Sequence, residues 1–409
     1  MKFVHLGDLH IGKRLDSVRL IEDQEHILKQ IVRIIKDEMP DAVLIAGDVY
    51  DRGVPPAEAV TLLDGFIVEL SEIRLPSGKP LQTFIIAGNH DSPERLSFAN
   101  LLLGKSGIHI SPIYNGKIEP FVIDDKFGQV NIYMLPFIKP VHVRDALTDM
   151  HLPTETISEI DTYTKAAAKA IELMNVDETK RSIIISHQFV QGGSLGGSET
   201  VSVGGLDVID VSVYEKFNYV ALGHLHKPQT IKTPKGNKNL VYYCGSPLKY
   251  SFSETTEKSV AVVEMDGEGS CSQRFIPLVP LFDMRTIEKS FEDIKASNEH
   301  SDDYIRVVLT DKNVSSNVYY ELQTFYPNLL KVIAKNNRNA ETEGTIGADI
   351  TSEQSEMDIF RQFFELMNER EPDEDESSFI ETLFDRAKDS LMDQTINVTV
   401  TEGINNAAD

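Results

Sequence analysis

Five short polar motifs, each placed where an apolar run ends, constrain this chain more than any other feature. They are Asp8-Leu9-His10, Gly47-Asp48, Gly88-Asn89-His90-Asp91, Ser186-His187 and Gly223-His224-Leu225-His226. The runs before them (Phe3 to Leu6, Ala42 to Ala46, Thr83 to Ala87, Ser182 to Ile185, Tyr219 to Leu222) are short and rich in Val, Ile and Phe. They are expected to be buried strands. In an open α/β sheet the carboxyl ends of the strands lie side by side, so residues just past them converge on one crevice. That crevice would hold Asp8, Asp48, Asn89 and five His.

Carboxylate, amide oxygen and imidazole are ligands for Mn, Fe or Zn, and two cysteines in 409 residues leave little scope for a thiolate site. Asp8-x-His10 and His224-x-His226 each skip one residue, which in an extended segment turns both side chains to one side. Seven candidate ligands (Asp8, His10, Asp48, Asn89, His187, His224 and His226) are too many for one ion. They suit two divalent ions if Asp48 bridges them, and ions about 3.5–4 Å apart can clamp the attacking and leaving oxygens of a phosphoryl displacement. Two such ions against two carboxylates leave net positive charge, which calls for an anionic substrate. Any one of these motifs alone is usually a hydrogen-bonded His or a turn. Five in one order, each at a strand end, carry the dimetal expectation.

The order D-x-H, G-D-x-x-D-R-G, G-N-H-D, lone H, G-H-x-H resembles the calcineurin-like metallophosphoesterase superfamily, and more narrowly the SbcD family of bacterial nuclease subunits. The narrower resemblance rests on Lys2 to Lys13, on Gly88 to Arg95, on His187-Gln188-Phe189-Val190 with Gly192-Gly193 and Ser198-Glu199, and on Tyr243-Cys244-Gly245-Ser246-Pro247 leading to Ser251-Phe252-Ser253-Glu254. It implies a two-sheet α/β/β/α sandwich at residues 1–275, a small α+β capping domain at 276–340, and a linker with a helical tail at 341–409. It also implies Mn2+ before Mg2+ as the ions, and DNA as the substrate. The implied activities are double-strand 3′-to-5′ exonuclease and single-strand or hairpin endonuclease in DNA repair and recombination. By the same resemblance His90 is the general acid toward the leaving oxygen, and Asp51 is the carboxylate that orients it, since a carboxylate beside imidazole favours its protonated form and fixes its tautomer. Lys13 and Arg52 are the candidate phosphate contacts.

Composition sets limits on this expectation. The chain exceeds one typical core, and 41% hydrophobic with 25% charged residues is the balance of a soluble protein. It has no apolar run near 18 residues and no signal-peptide pattern, so a cytoplasmic protein without a membrane span is expected. Cys244 lies in an apolar strand and is expected to be a buried free thiol. A net charge of −24 argues against long-range attraction to DNA. Screening confines that repulsion to about 8 Å at physiological salt, so a locally positive crevice can still hold phosphate. Weak binding of DNA by this chain alone is the expectation, with a partner supplying grip.

Along the chain, Ser17 to Lys36 and Ala57 to Ile73 pattern as amphipathic helices. Ile108 to Phe137 alternates with turn signals as a second sheet would, and residues 154–175 pattern as one Ala-rich helix. Gln191 to Ser198 is a glycine-rich loop, not a dinucleotide fingerprint, because no GxGxxG opens a helix there. Met284 to Ile333 reads as a small βαβαβ unit. Residues 336–352 are polar and read as a linker. Two Phe-rich helices within 355–390 begin with capping-box spacings, and they cannot bury both faces on each other. The resemblance implies that they dock on the coiled-coil base of an SbcC-like ATPase, in a heterotetramer with a homodimer of this chain. Residues 57–73 or 93–103 are the candidate dimer faces. A phosphomonoesterase or protein phosphatase, favoured by Gly47-Asp48-x-x-Asp51-Arg52-Gly53, and an inactive scaffold are the alternatives.

Overall fold

A strand buried on both faces must carry apolar residues at successive positions, and β1 (Lys2–Leu6) does so. In the computed structural model Phe3 faces a second sheet while Val4 and Leu6 face helices. The same alternation governs the neighbours that follow α1 (Ile21–Glu38), namely β2 (Ala42–Ala46), then, after α2 (Ala57–Glu72), β3 (Gln82–Ile86) and β4 (Ile108–Ser111). These pair in parallel in the order β1-β2-β3-β4. The structure describes residues 1–335 apart from 16–17, 99, 198, 200–206, 234–238 and 312–316, and beyond 335 only residues 364, 370–373 and 376–377.

The second sheet begins with the hairpin β5 (Phe121–Asp125) and β6 (Gly128–Leu135). Three helices follow, α3 (Pro140–Asp149), α4 (Thr154–Ser158) and α5 (Tyr163–Leu173). Then come β7 (Arg181–His187), β8 (Tyr219–Gly223), β9 (Gln229–Ile231) and β10 (Leu240–Tyr243). The order across this sheet is β9-β10-β8-β7-β6-β5. The chain then returns to the first sheet, where β11 (Ser259–Met265) pairs antiparallel with β1 and β12 (Cys271–Pro277) closes the edge.

Three apolar layers hold these parts together. Phe3, Leu44, Phe84, Ile132, Ile183, Ile185 and Tyr219 fill the space between the sheets. α1 and α2 cover the outer face of the first sheet through Ile27, Ile31, Ile35, Leu63 and Phe66. α3 and α5 cover the second through Val143, Leu147, Ala167 and Ile171. The order is helix, sheet, sheet, helix, as expected from the sequence. Both sets of parallel strands run their carboxyl ends toward one seam.

A third sheet follows, β13 (Met284–Lys289), β14 (Tyr304–Leu309) and β15 (Leu329–Ala334), parallel in the order β13-β14-β15. α6 (Phe291–Ser297) and α7 (Val318–Phe325) are the crossovers. Its own core holds Ile294, Ile305, Val307, Leu322 and Tyr326. It meets α1 through the Tyr304 hydroxyl, which donates to Asp23 Oδ2 at 2.8 Å. Lys249 adds a bridge to Asp283 at 2.8 Å.

Two helical expectations shift. The first helix starts at Ile21, after a two-residue strand at Val18–Arg19, and runs to Glu38, where Met39 takes a left-handed φ of 45° and ends it. Position 17 lies outside the described residues. The single helix expected over residues 154–175 is two, because Thr162 in extended conformation caps a new start by accepting from Lys165 N. The Phe-rich segments within 355–390 and the linker 336–352 lie almost wholly outside the described residues. Among the described residues no helix is long and apolar enough to cross a membrane. Cys244 is a buried free thiol.

The far end of the seam is pinned by charge. Arg181, at the start of β7, forks onto Asp125 with contacts of 2.8 and 2.5 Å and also donates to the carbonyls of Asp266 and Gly128. Both side chains are buried. The Arg181 fork holds the Asp125 carboxyl well below the usual carboxylate range. Arg181→Met leaves that buried carboxylate with only the Met1 ammonium, at 2.5 Å, and the Phe127 amide as partners, which should cost about 1–3 kcal/mol in urea unfolding at pH 7. A depressed folded pKa stabilises above the unfolded value of about 4 and fades below it. The gap between wild type and variant should therefore narrow as pH drops below about 4.

Candidate metal centre

Each strand end at the seam turns sharply, and the turn is what aims the side chain. Asp8, His10, Asp48 and His224 all have positive φ, at 52°, 44°, 46° and 97°. Non-glycine residues adopt this region only when their surroundings hold them there. Here Asp8 N donates to Gly47 O at 3.1 Å and His10 N to Asp48 O at 2.9 Å. His224 N donates to Asp8 Oδ1 at 2.8 Å. The exits of β1, β2 and β8 thus fix one another across the two sheets.

Glycines admit the close approach. A Cβ on Gly47, whose φ is 83°, would stand 2.3 Å from His187 Nδ1, and one on Gly223 would stand 1.8 Å from Ala46 O. No side chain fits at either place.

The seven candidate ligands meet in one niche. Asp48 Oδ2 lies 3.3 Å from His187 Nε2 and 3.6 Å from His10 Nε2. Asn89 Oδ1 lies 3.0 Å from both His187 Nε2 and His224 Nδ1. His10 Nε2 and His226 Nε2 face each other at 3.0 Å. Asp8, His10 and His226 form one group with ligand atoms within 4.8 Å of one another, and Asp8, Asp48 and His187 form another. Asp8 belongs to both, and a third group joins Asp48 to His10 and His90, with Asp48 Oδ1 held by His90 N at 2.9 Å.

The donor set fits cations. Asp8 Oδ2 is buried and makes no hydrogen bond among the described residues. His187 Nδ1 donates to Ala46 O at 2.7 Å, which makes Nε2 the nitrogen aimed into the niche, where a cation would displace its proton. Burial pushes the Asp8 carboxyl up to about 6. Burial also opposes charge on Asp48 and on His187, yet each outweighs it for the other. Asp48 is held well below the carboxylate range and His187 is raised to about 9. Divalent ions would take over the role these opposite charges play for each other.

The remaining sequence-based site residues fall around this niche. His90 is half-buried, its ring 4.9 Å from that of His10. Its Nδ1 donates to the main-chain oxygen of Asp51 at 2.9 Å. The expectation that the Asp51 carboxylate orients His90 is thereby corrected, since the contact is made by the carbonyl. The carboxylate is taken by Lys13 Nζ at 2.8 Å and lies 3.7 Å from His10 Nδ1. Lys13 is accordingly engaged, and Arg52, 56% exposed beside the crevice, also pairs with the Asp51 carboxylate at 3.8 Å. Lys13, Arg14, Arg19 and Arg52 together line a cleft of about 390 Å³.

Several supporting residues lie inside the sequence motifs without a role assigned by them. Asp91 accepts from Val49 N, Tyr50 N and Gly88 N at 3.1, 2.8 and 2.9 Å, so it ties the exits of β2 and β3 together. Glu199 accepts from His226 N at 2.8 Å. Glu254 meets His226 Nδ1 at 3.4 Å. Tyr250 OH donates to Leu9 O at 2.5 Å and Gln24 Nε2 to His10 O at 2.7 Å, and both support the first exit. Asp91 and Glu254 are visible as acidic residues inside motifs. Gln24, on a helix face, gives no signal.

The family model described as calcineurin-like phosphoesterase matches residues 1–228. A second, described as type 5 capsule protein repressor C-terminal domain, matches residues 280–368. A curated protein of Staphylococcus epidermidis, the SbcD subunit of the nuclease SbcCD, is 32% identical over 338 residues, which are 81% of this chain and 84% of that one. The protein of the same name from Staphylococcus saprophyticus is 33% identical over 338 residues, again 81% and 84% of the two chains.

The crowding at β8 makes Gly223→Ala the most telling backbone test. The added methyl meets main-chain atoms, which cannot give way. The variant should lose about 1–3 kcal/mol of stability in thermal unfolding and bind Mn2+ more weakly in a calorimetric titration.

Proposed function

This chain belongs to the calcineurin-like phosphoesterases and, among them, to the SbcD subunits of the nuclease SbcCD, and from that premise we propose that it cleaves phosphodiester bonds of DNA at the niche between its two sheets. It is a metal-dependent nuclease. The observation that carries the assignment of the site is the convergence of Asp8, His10, Asp48, Asn89, His187, His224 and His226 from five strand ends. Asp8, His10 and His226 would hold one divalent ion and Asn89, His187 and His224 the other, with Asp48 shared. Mn2+ suits this mixed nitrogen and oxygen set better than Mg2+, which favours oxygen ligands. When bound, the two ions supply Lewis-acid polarisation and offset the charge of the scissile phosphate.

The chain's own groups supply the rest. His90 keeps a proton on Nδ1 by donating it to Asp51 O, so Nε2 is the nitrogen that exchanges protons with substrate. It is suited to protonate the leaving oxygen as water displaces it at phosphorus, a contribution typically worth about 10²–10⁴-fold. Arg52 and its cationic neighbours offer the backbone of the substrate a positive approach, although the chain as a whole carries −24.

The SbcCD name of the relatives supports a partner of the SbcC kind. The tail segments proposed to dock on that ATPase, within 355–390, lie almost wholly outside the described residues. A homodimer draws support from Phe98 and Leu102, which are 83% and 68% exposed. Double-strand 3′-to-5′ exonuclease, single-strand and hairpin endonuclease activity, and a place in cytoplasmic DNA repair and recombination, follow from the family resemblance.

One experiment tests the assignment. Purified protein with Mn2+ is given hairpin DNA and a phosphopeptide, with and without the ATPase partner. DNA cleavage that the partner increases is the expected result, and efficient peptide dephosphorylation without DNA cleavage would overturn it. In the same assay His90→Asn should lower kcat by about 10²–10⁴-fold and still bind two ions by calorimetry. Asp48→Ala should lose both turnover and metal.

A further inference from the structure

His226 stands out among the candidate ligands for what lies behind it. Its Nδ1 meets Glu254 Oε1 at 3.4 Å, while its Nε2 faces His10 Nε2. Glu254 is itself held in place. Lys258 Nζ donates to Glu254 Oε2 at 2.6 Å, to Ser246 Oγ at 2.8 Å and to His226 O at 3.0 Å. Tyr250 N donates to Glu254 Oε1 at 3.2 Å. Glu254 and Lys258 are 5% and 7% exposed, and the lysine's three donors are all used, on Glu254, on Ser246 and on the main chain of the ligand. A buried pair that needed only to neutralise itself would not require this arrangement.

We propose that Glu254, clamped by Lys258, is a positioning residue that fixes the Nδ1–H tautomer of His226 and so presents a bare Nε2 to the ion shared with Asp8 and His10. A carboxylate behind a ligating imidazole orients the ring and makes it more basic, and losing such a partner typically costs about 10–100-fold in metal affinity. The opposite side of the niche is built otherwise, since His187 rests on the neutral carbonyl of Ala46. Removing the Glu254 charge should therefore weaken one of the two ions and leave the other nearly as before. His10 has a looser counterpart of the same device in Asp51, 3.7 Å from its Nδ1 and bound to Lys13.

The inference rests on the two-ion reading, and the test separates the two. Metal-free full-length protein is titrated with Mn2+ and followed by calorimetry and electron paramagnetic resonance. Wild type should bind two ions. Glu254→Gln should still bind two, with one weakened about 10–100-fold and the other within about threefold. Because Glu254→Gln leaves Lys258 buried without its anion, Glu254→Gln/Lys258→Met is the second variant, and it should show the same one-sided loss. Independently of either variant, nitrogen-15 histidine spectra of wild type loaded with Zn2+ should show His226 protonated at Nδ1. One ion at saturation in wild type would defeat the two-ion reading itself. Two ions weakened alike, two ions unaffected, or His226 protonated at Nε2 would overturn the role of Glu254 and leave that reading standing.

Discussion

Negative charge sealed inside the seam between the two sheets is the constraint on which the catalytic half of this molecule depends. Asp8 and Asp48 are 0% and 2% exposed. Taking a carboxylate out of water costs several kcal/mol even after the surroundings relax. Imidazoles from four strand ends surround these two groups, and against the opposing effect of burial the nearby carboxylates raise His187 and His226 toward their charged forms. Burial holds His10 and His224 below the usual imidazole range, the latter at about 4. Two buried anions among imidazole nitrogens, some of which burial keeps neutral, make a good receptor for cations.

Holding such a pocket open demands backbone that would not form on its own. Four of the seven candidate ligands sit at positive φ, at a cost of about 1–3 kcal/mol each. The cost is met collectively, because every strained residue is also a hydrogen-bond partner of another strand end. Asp91 extends this mutual support by gathering three amides from two loops onto one carboxylate. Strain is thus concentrated at the chemistry and opposed by packing on the helices and between the sheets, where Ile31, Leu44 and Ile185 are fully enclosed.

The strands and the convergence of their ends are legible in the sequence because both signals are local. A short Val- and Ile-rich run reads as a buried strand wherever it lies, and a polar motif directly after it must emerge at the strand's end. The helix boundaries are less so. The break near Thr162 depends on one hydroxyl adopting a cap, a weak signal inside an alanine-rich stretch. The role of Asp51 escapes the sequence for a different reason. Its spacing from Asp48 is right for contact with His90, but spacing does not distinguish the carbonyl of a residue from its carboxylate as the group that makes the contact. Gln24, Tyr250 and Lys258 support the site from positions 14 to 241 residues away from what they touch, or from an element whose periodicity is that of ordinary packing. No motif announces them.

The ligand set draws on β1, β2 and β3 of one sheet and on β7 and β8 of the other, so an ion seated there is also a rivet through the thickness of the molecule. Anything that binds only the folded chain shifts its folding equilibrium in proportion to the logarithm of its concentration. Stripping the ions with a chelator would then do more than silence catalysis. It would release the mutual repulsion of Asp8 and Asp48 at the point where the sheets are joined, and make the ends of the strands, rather than their middles, the place where the empty protein first comes apart.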